Sequence, residues 1–98
     1  MTFKLYKNNR TAYDIIRRLG YIPIGTTPEG EMNCVRPLGG DYPRFHIYLK
    51  EDAEIFHFSL HLDQKKPVYK GTAAHSGEYD SDVVKDEASR IRGILLED

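Results

Sequence analysis

The sequence has one cysteine, Cys34, no tryptophan and no long apolar run. A single cysteine excludes a disulfide within the chain and agrees with a reducing compartment. No segment approaches the roughly 20 apolar residues that cross a bilayer, and the first ten residues, MTFKLYKNNR, lack the apolar core of a signal peptide. These absences predict a cytoplasmic protein that does not enter a membrane.

An excess of charge of one sign is also missing. The 14 Lys and Arg residues and the 15 Asp and Glu residues leave a formal net charge of −1. That balance argues against a surface devoted entirely to nucleic acid. The hydrophobic fraction of 40% and the length of 98 residues suit one globular domain, which we predict over residues 1–98.

Two segments have the apolar spacing of amphipathic helices. The first, residues 11–20, has Thr11 as a candidate N-cap and Gly20 as a candidate left-handed C-terminal residue. Its apolar positions are Ala12, Ile15, Ile16 and Leu19. The second covers residues 81–97, with apolar positions at Val84, Ala88, Ile91 and Leu95.

Between the helices the hydrophobic period changes to two, which is typical of strands. The segments YIPIGTT and EMNCVRP flank a Pro-Glu-Gly turn and predict a hairpin, and residues 44–63 predict a second, stronger hairpin. Residues 3–7 fit either a short strand or a leader into the first helix. We therefore predict an α+β, two-layer sandwich, in which an antiparallel meander of three or four strands has an N-terminal and a C-terminal helix packed on one face.

The second hairpin, RFHIYLKEDAEIFHFSLHLD, contains three of the four histidines. Its apolar residues alternate with polar ones, so the polar set should lie together on the face that the helices leave open. A two-residue turn at Asp52-Ala53 would place His46 opposite Ser59 and diagonal to both His57 and His61. In that register His57 and His61 are too far apart to share an ion easily.

Imidazole titrates near neutrality, so two histidines on one surface could act as general base and general acid on a phosphodiester. His46 and His57 form the candidate catalytic pair of such a metal-independent ribonuclease. The alternative is a transition-metal site, with zinc held by His46, His61 and His75, or with Asp63 completing the set. No cofactor is otherwise expected.

The segment of residues 63–79 is long for a connection inside a compact domain, and such loops are often functional. It brings basic and aromatic residues towards the same face, which would suit RNA. The candidate ligand-binding residues of the open face and this loop are Arg44, Tyr48, Ser59, His61, Lys65, Lys66, Tyr69, His75 and Glu78.

The order helix, strands, helix resembles the double-stranded-RNA-binding-domain fold and the small toxin ribonucleases built on it, which use a strand histidine as a catalytic residue. The resemblance covers the order of elements and no residue motif.

Our first functional interpretation is a small binding module that uses the open sheet face and the 63–79 loop, with a protein or RNA as its partner. RNA cleavage by histidine acid-base chemistry and a histidine metal site are the alternatives. A second copy of the chain could also cover the open face and form a homodimer.

Overall fold

The structure is a computed structural model that describes residues 1–65 and 77–96. Its elements, in chain order, are β1 (Thr2–Tyr6), α1 (Ala12–Leu19), β2 (Ile22–Thr26), β3 (Met32–Pro37), β4 (Arg44–Glu51), β5 (Ile55–Asp63), β6 (Gly77–Glu78) and α2 (Asp82–Leu96). Among the described helices, none combines the length and the apolar character needed to cross a bilayer.

The strands form one antiparallel sheet in the order β1-β5-β4-β3-β2, with the two-residue β6 also paired to β5. The predicted α+β class is confirmed, but the predicted count of three or four strands is wrong. The additional strand is β1, which pairs with the outer edge of β5 from Ile55 to Ser59. Its position depends on contacts with β5, a segment far away in the sequence, which local sequence patterns do not report.

Helix α1 begins and ends as its sequence predicts. Thr11 is the N-cap, and its side-chain oxygen accepts a hydrogen bond from the backbone N–H of Asp14 at 3.2 Å. Gly20 ends the helix in the left-handed region, at φ 85°, where a residue without a β-carbon is least strained. The caps fix the length of α1 and therefore the point where the chain enters β2.

The core is a single buried cluster to which both helices and the apolar face of the sheet contribute. The largest fully buried side chains are Phe56, Phe58, Ile15, Ile16, Leu19, Ile47, Leu60, Ile91 and Leu95. The alternation in β4 and β5 therefore separates the residues as predicted. One set of side chains joins the core, and the other lies on the opposite face.

A buried carboxylate connects α2 to the rest of the molecule. Glu87 is 3% exposed and accepts hydrogen bonds from Arg36 on β3, Arg90 on α2 and the hydroxyl of Tyr21. Burial acts to raise the pKa of Glu87, but these donors outweigh it and hold the pKa below its ordinary value. Arg90 also donates to the carbonyl oxygen of Leu19, so the ion cluster joins both helices.

Gly93 offers a test of how α2 is stabilised. It lies inside the helix, and a β-carbon built on it meets no heavy atom of the described residues within 4 Å, apart from the neighbouring backbone of its own helix. We expect Gly93→Ala to raise the free energy of unfolding by about 0.5 to 1 kcal/mol, because alanine restricts the unfolded chain and favours the helix. Urea denaturation measures the change. The matched control, Gly20→Ala, should destabilise because its φ is positive, and a loss of stability in Gly93→Ala would contradict the packing described for this position.

Candidate functional site

The β4–β5 hairpin is the element that positions the candidate site. Its turn is set by Asp52, whose side-chain oxygen Oδ1 accepts from the backbone N–H groups of Glu54 at 3.1 Å and Ile55 at 3.0 Å. Asp52 also donates its own backbone N–H to the carbonyl oxygen of Ile55. The two central turn residues are therefore Ala53 and Glu54, one position later than predicted.

This turn moves every pair of the hairpin by two residues along β5, so the predicted register is wrong, although each side chain keeps its predicted face. On the polar face, His46 lies opposite His61 instead of Ser59. The other polar pairs are Arg44 with Asp63, Tyr48 with Ser59 and Lys50 with His57. The register therefore brings two histidines and one aspartate together at one end of the hairpin.

We call His46, His61 and Asp63 the histidine cluster. The Asp63 carboxylate lies between the two imidazoles: Oδ2 is 2.9 Å from Nδ1 of His46, and Oδ1 is 2.9 Å from Nε2 of His61. No two of the three potential ligand atoms are more than 4.8 Å apart. Burial acts to raise the pKa of Asp63, but hydrogen bonds from both histidines outweigh it and hold the pKa well below its ordinary value.

Two further polar residues contact the histidine cluster. Nε2 of His46 contacts the amide oxygen of Asn33, a β3 residue that lies diagonally across the strand pair. Nε of Arg44 lies 3.4 Å from Oδ2 of Asp63, while its guanidinium group covers the ring of Tyr42. The cluster is thus held from three strands, and both ring nitrogens of His46 have a partner.

Aromatic rings flank the same cluster. The His61 ring stacks on Tyr79, with 5.1 Å between ring centroids, and contacts His46 at 4.7 Å. Tyr48 lies 4.7 Å from His46 and 5.9 Å from His61. His46, His61 and Asp63 keep their predicted face but are only 7%, 8% and 9% exposed, because neighbouring side chains on that face cover them.

The other end of the polar face is open and forms a groove of ≈ 690 Å³, which we call the lysine groove. Its lining includes Thr2, Lys4, Glu31, Tyr48, Lys50, Glu51, Asp52, His57 and Ser59. His57 has Lys4 as its partner on β1 and Lys50 as its partner on β4, so three basic side chains form a row across three strands. Thr2, Ser59 and Tyr48 form the next row, which provides three hydroxyl groups.

The charges of the groove are partly neutralised. Nε2 of His57 is 2.9 Å from Oδ2 of Asp52, and this bond, with the two backbone bonds of the turn, lowers the pKa of Asp52 to about 2. Lys7 pairs with Glu51 at 2.6 Å. Within the described part of the chain, Lys4 and Lys50 have no carboxylate partner. Two ammonium groups are therefore available to a ligand.

The structure separates the two residues of the candidate catalytic pair. His46 belongs to the histidine cluster, whereas His57 lies opposite Lys50, four residues further along β4, which corresponds to about 13 Å. The predicted ligand-binding residues also divide: His61 and Arg44 are at the cluster, Ser59 is in the groove, and Tyr48 contacts both.

Several predicted site residues belong to the 63–79 loop. Lys65 is exposed, and Lys66, Tyr69 and His75 lie outside the described residues. The backbone of Glu78 pairs with Leu62, whereas its side chain is not among those described. The metal set with His75 as third ligand therefore remains a prediction, and Asp63 is the residue that completes a set within the described chain.

Thr2, Lys4, Asn33 and Tyr79 are among the contributors that were not singled out from the sequence. The alternation of FKLYK does carry a signal for Lys4, since a strand there would place Lys4 on the face opposite Phe3 and Leu5. Asn33 reaches the site because β3 pairs with β4, and Tyr79 reaches it because the segment before α2 lies against β5. No local sequence pattern indicates either residue.

Comparison of the chain with protein-family models, with curated proteins and with solved structures gives no match. The histidine cluster and the lysine groove are therefore the features from which a function can be inferred.

Proposed function

We propose that the protein is a binding module with two layers, in which both helices cover the apolar face of the sheet and the opposite face binds a ligand in the lysine groove. The observation that carries this proposal is the groove itself, an open concavity of ≈ 690 Å³ in which two lysines have no carboxylate partner among the described residues. That volume lies within the range of about 300 to 1,000 Å³ that is usual for small-molecule sites.

The lining of the groove suits a small polar ligand that carries at least one anionic group. Lys4 and Lys50 would contact the anion from β1 and β4, and His57 lies between them. The hydroxyl groups of Thr2 and Ser59 would provide hydrogen bonds beside this row. Three carboxylates also line the groove, so we expect a ligand with both acceptor and donor groups and not a purely anionic polymer.

RNA binding receives some support from the same basic row, but Glu31, Glu51 and Asp52 in the lining oppose a phosphate chain. RNA cleavage receives less support, because His46 and His57 do not face one reacting group. A homodimer through this face would bury the same lysines, so it competes with ligand binding in the groove.

We expect a library of fragment-sized molecules to yield binders that occupy this groove. Two-dimensional NMR of the ¹⁵N-labelled protein should show the largest amide shifts around Lys4, Lys50 and Ser59. Lys50→Met should weaken binding of anionic hits by about tenfold, because one unpaired cation is lost. Lys85→Met, an exposed lysine on α2, is the matched control and should leave the affinity unchanged.

Two results would count against the proposal. One is a set of hits that map to the helices, and the other is equal affinity in Lys50→Met and in the unaltered protein. Amide shifts produced by single-stranded RNA at these residues, with an affinity that falls steeply with salt, would instead favour RNA as the ligand. Light scattering on the same samples reports whether the groove is closed by a second copy.

A further inference from the structure

We propose that the histidine cluster is a binding site for a divalent transition-metal ion of the zinc class, with Nδ1 of His46, Nε2 of His61 and the carboxylate of Asp63 as its ligands. This site is separate from the lysine groove, and it requires nothing of the ligand proposed there. Two imidazoles and one carboxylate are the donor types that zinc prefers, and a three-residue set leaves a fourth position for water or another ligand.

The convergence of the three donors is the first support. Zinc ligands lie about 2.0 to 2.2 Å from the ion, so two ligand atoms of a tetrahedral site are about 3.4 Å apart. The donors of the cluster are already within 4.8 Å of one another, and the Asp63 oxygens are 2.9 Å from each ring nitrogen. The largest separation between donor atoms, at most 4.8 Å, would have to fall by about 1.4 Å for the set to close around an ion.

The partner of His46 is the second support. Metal-binding histidines usually donate their other ring N–H to a carbonyl or carboxylate oxygen, which fixes the tautomer. The amide oxygen of Asn33 is in that position at Nε2 of His46. In the tautomer that carries its proton on Nε2, the lone pair of Nδ1 faces Asp63, and a cation placed between these two atoms would have both as ligands.

The same lone pairs can be satisfied without a metal if protons lie between Asp63 and the imidazoles. Arg44, which is 3.4 Å from Oδ2 of Asp63, also adds a positive charge beside the site and would weaken the binding of a divalent ion. Metal titration distinguishes the two arrangements. A cluster that binds a metal ion loses affinity for it when one ligand is replaced, whereas a cluster held together by protons binds no ion in either case.

The test is titration of chelator-treated, full-length protein with zinc by calorimetry and with cobalt as a spectroscopic probe. We expect one zinc ion per chain, with a dissociation constant of about 1 μM or tighter. Cobalt should give the visible absorption of a tetrahedral nitrogen and oxygen site. His61→Gln and Asp63→Asn should each reduce the affinity by at least about 100-fold, and Asn33→Ala by about 10- to 100-fold through His46.

His57→Gln is the matched control, because His57 lies on the same strand and face but outside the histidine cluster. It should bind zinc like the unaltered protein. Circular dichroism and thermal unfolding without metal identify any variant that fails to fold. If a ligand variant fails to fold, the zinc affinity of Asn33→Ala is compared with that of the unaltered protein instead, because this variant keeps all three ligands. The proposal is overturned if the unaltered protein binds no zinc at about 100 μM, or if His57→Gln loses the ion while His61→Gln retains it.

Discussion

Replacement of Glu87 by glutamine is expected to lower the free energy of unfolding by about 3 kcal/mol, because it removes the carboxylate that balances two arginines in a buried cluster. The Glu87 side chain is 2% exposed, whereas those of Arg36 and Arg90 are 28% and 34% exposed. Partial access of the arginines to water places the effect at the lower end of the range for broken buried ion pairs. Urea denaturation at neutral pH measures it.

The pH dependence of this effect has a defined sign. The pKa of Glu87 is lower in the folded protein than in the unfolded chain, where it is about 4.3. The stabilisation is therefore complete above the unfolded pKa and is lost as the pH falls through the folded pKa. The difference between the unaltered protein and Glu87→Gln should be largest near neutrality and should shrink below about pH 4.3.

Asp86→Asn is the control for Glu87, since Asp86 is an exposed carboxylate on the same helix. Its effect should stay within about 0.5 kcal/mol. Equal stability of Glu87→Gln and Asp86→Asn would mean that the ion cluster does not hold α2 against β3.

Replacement of Phe58 by alanine is expected to cost about 3 to 5 kcal/mol, the range for a large aromatic side chain removed from a core. Phe58 is 2% exposed, stacks on Phe3 of β1 at 4.8 Å and meets Phe56 edge to face at 6.5 Å. Its loss leaves a cavity beside β1 as well as removing apolar area, so the attachment of β1 to β5 should weaken first.

Two variants separate these contributions. Phe58→Leu keeps most of the volume and should cost much less than Phe58→Ala, while Tyr6→Ala, at a 67% exposed aromatic position, should change stability by less than about 0.5 kcal/mol. Hydrogen exchange reports the amides of β1. Unchanged protection in β1 of Phe58→Ala would contradict the stacking role of this residue.

Local chemistry made a large part of the fold predictable. Thr11 and Gly20 mark the ends of α1 through interactions within a few residues of themselves. The alternation in β4 and β5 depends only on the pleat of a strand, so the division into core and polar faces followed from the sequence. The register did not follow from the sequence, because it depends on whether Asp52 is a central residue of the turn or precedes it. The hydrogen bonds that the Asp52 side chain accepts from Glu54 and Ile55 place it before the two central residues.

The features that the sequence left open or did not indicate depend on contacts between distant segments. Thr2–Tyr6 form a strand because they pair with the edge of β5, and Glu87 is buried because Arg36 and Tyr21 reach it from other elements. The burial of His46 and His61 has the same kind of cause. Asn33 and Tyr79 approach from β3 and from the segment before α2, which the alternation of one hairpin cannot reveal.

The proposal that the polar face can bind an ion between His46 and His61 is tested most directly by NMR of the histidine ring nitrogens during zinc addition. We expect the signals of Nδ1 of His46 and Nε2 of His61 to shift together and to saturate at one equivalent of zinc. Nε2 of His46 should keep its proton, and the signals of His57 should not change. Shifts confined to His57, or an ion bound through Nε2 of His46, would contradict the proposal.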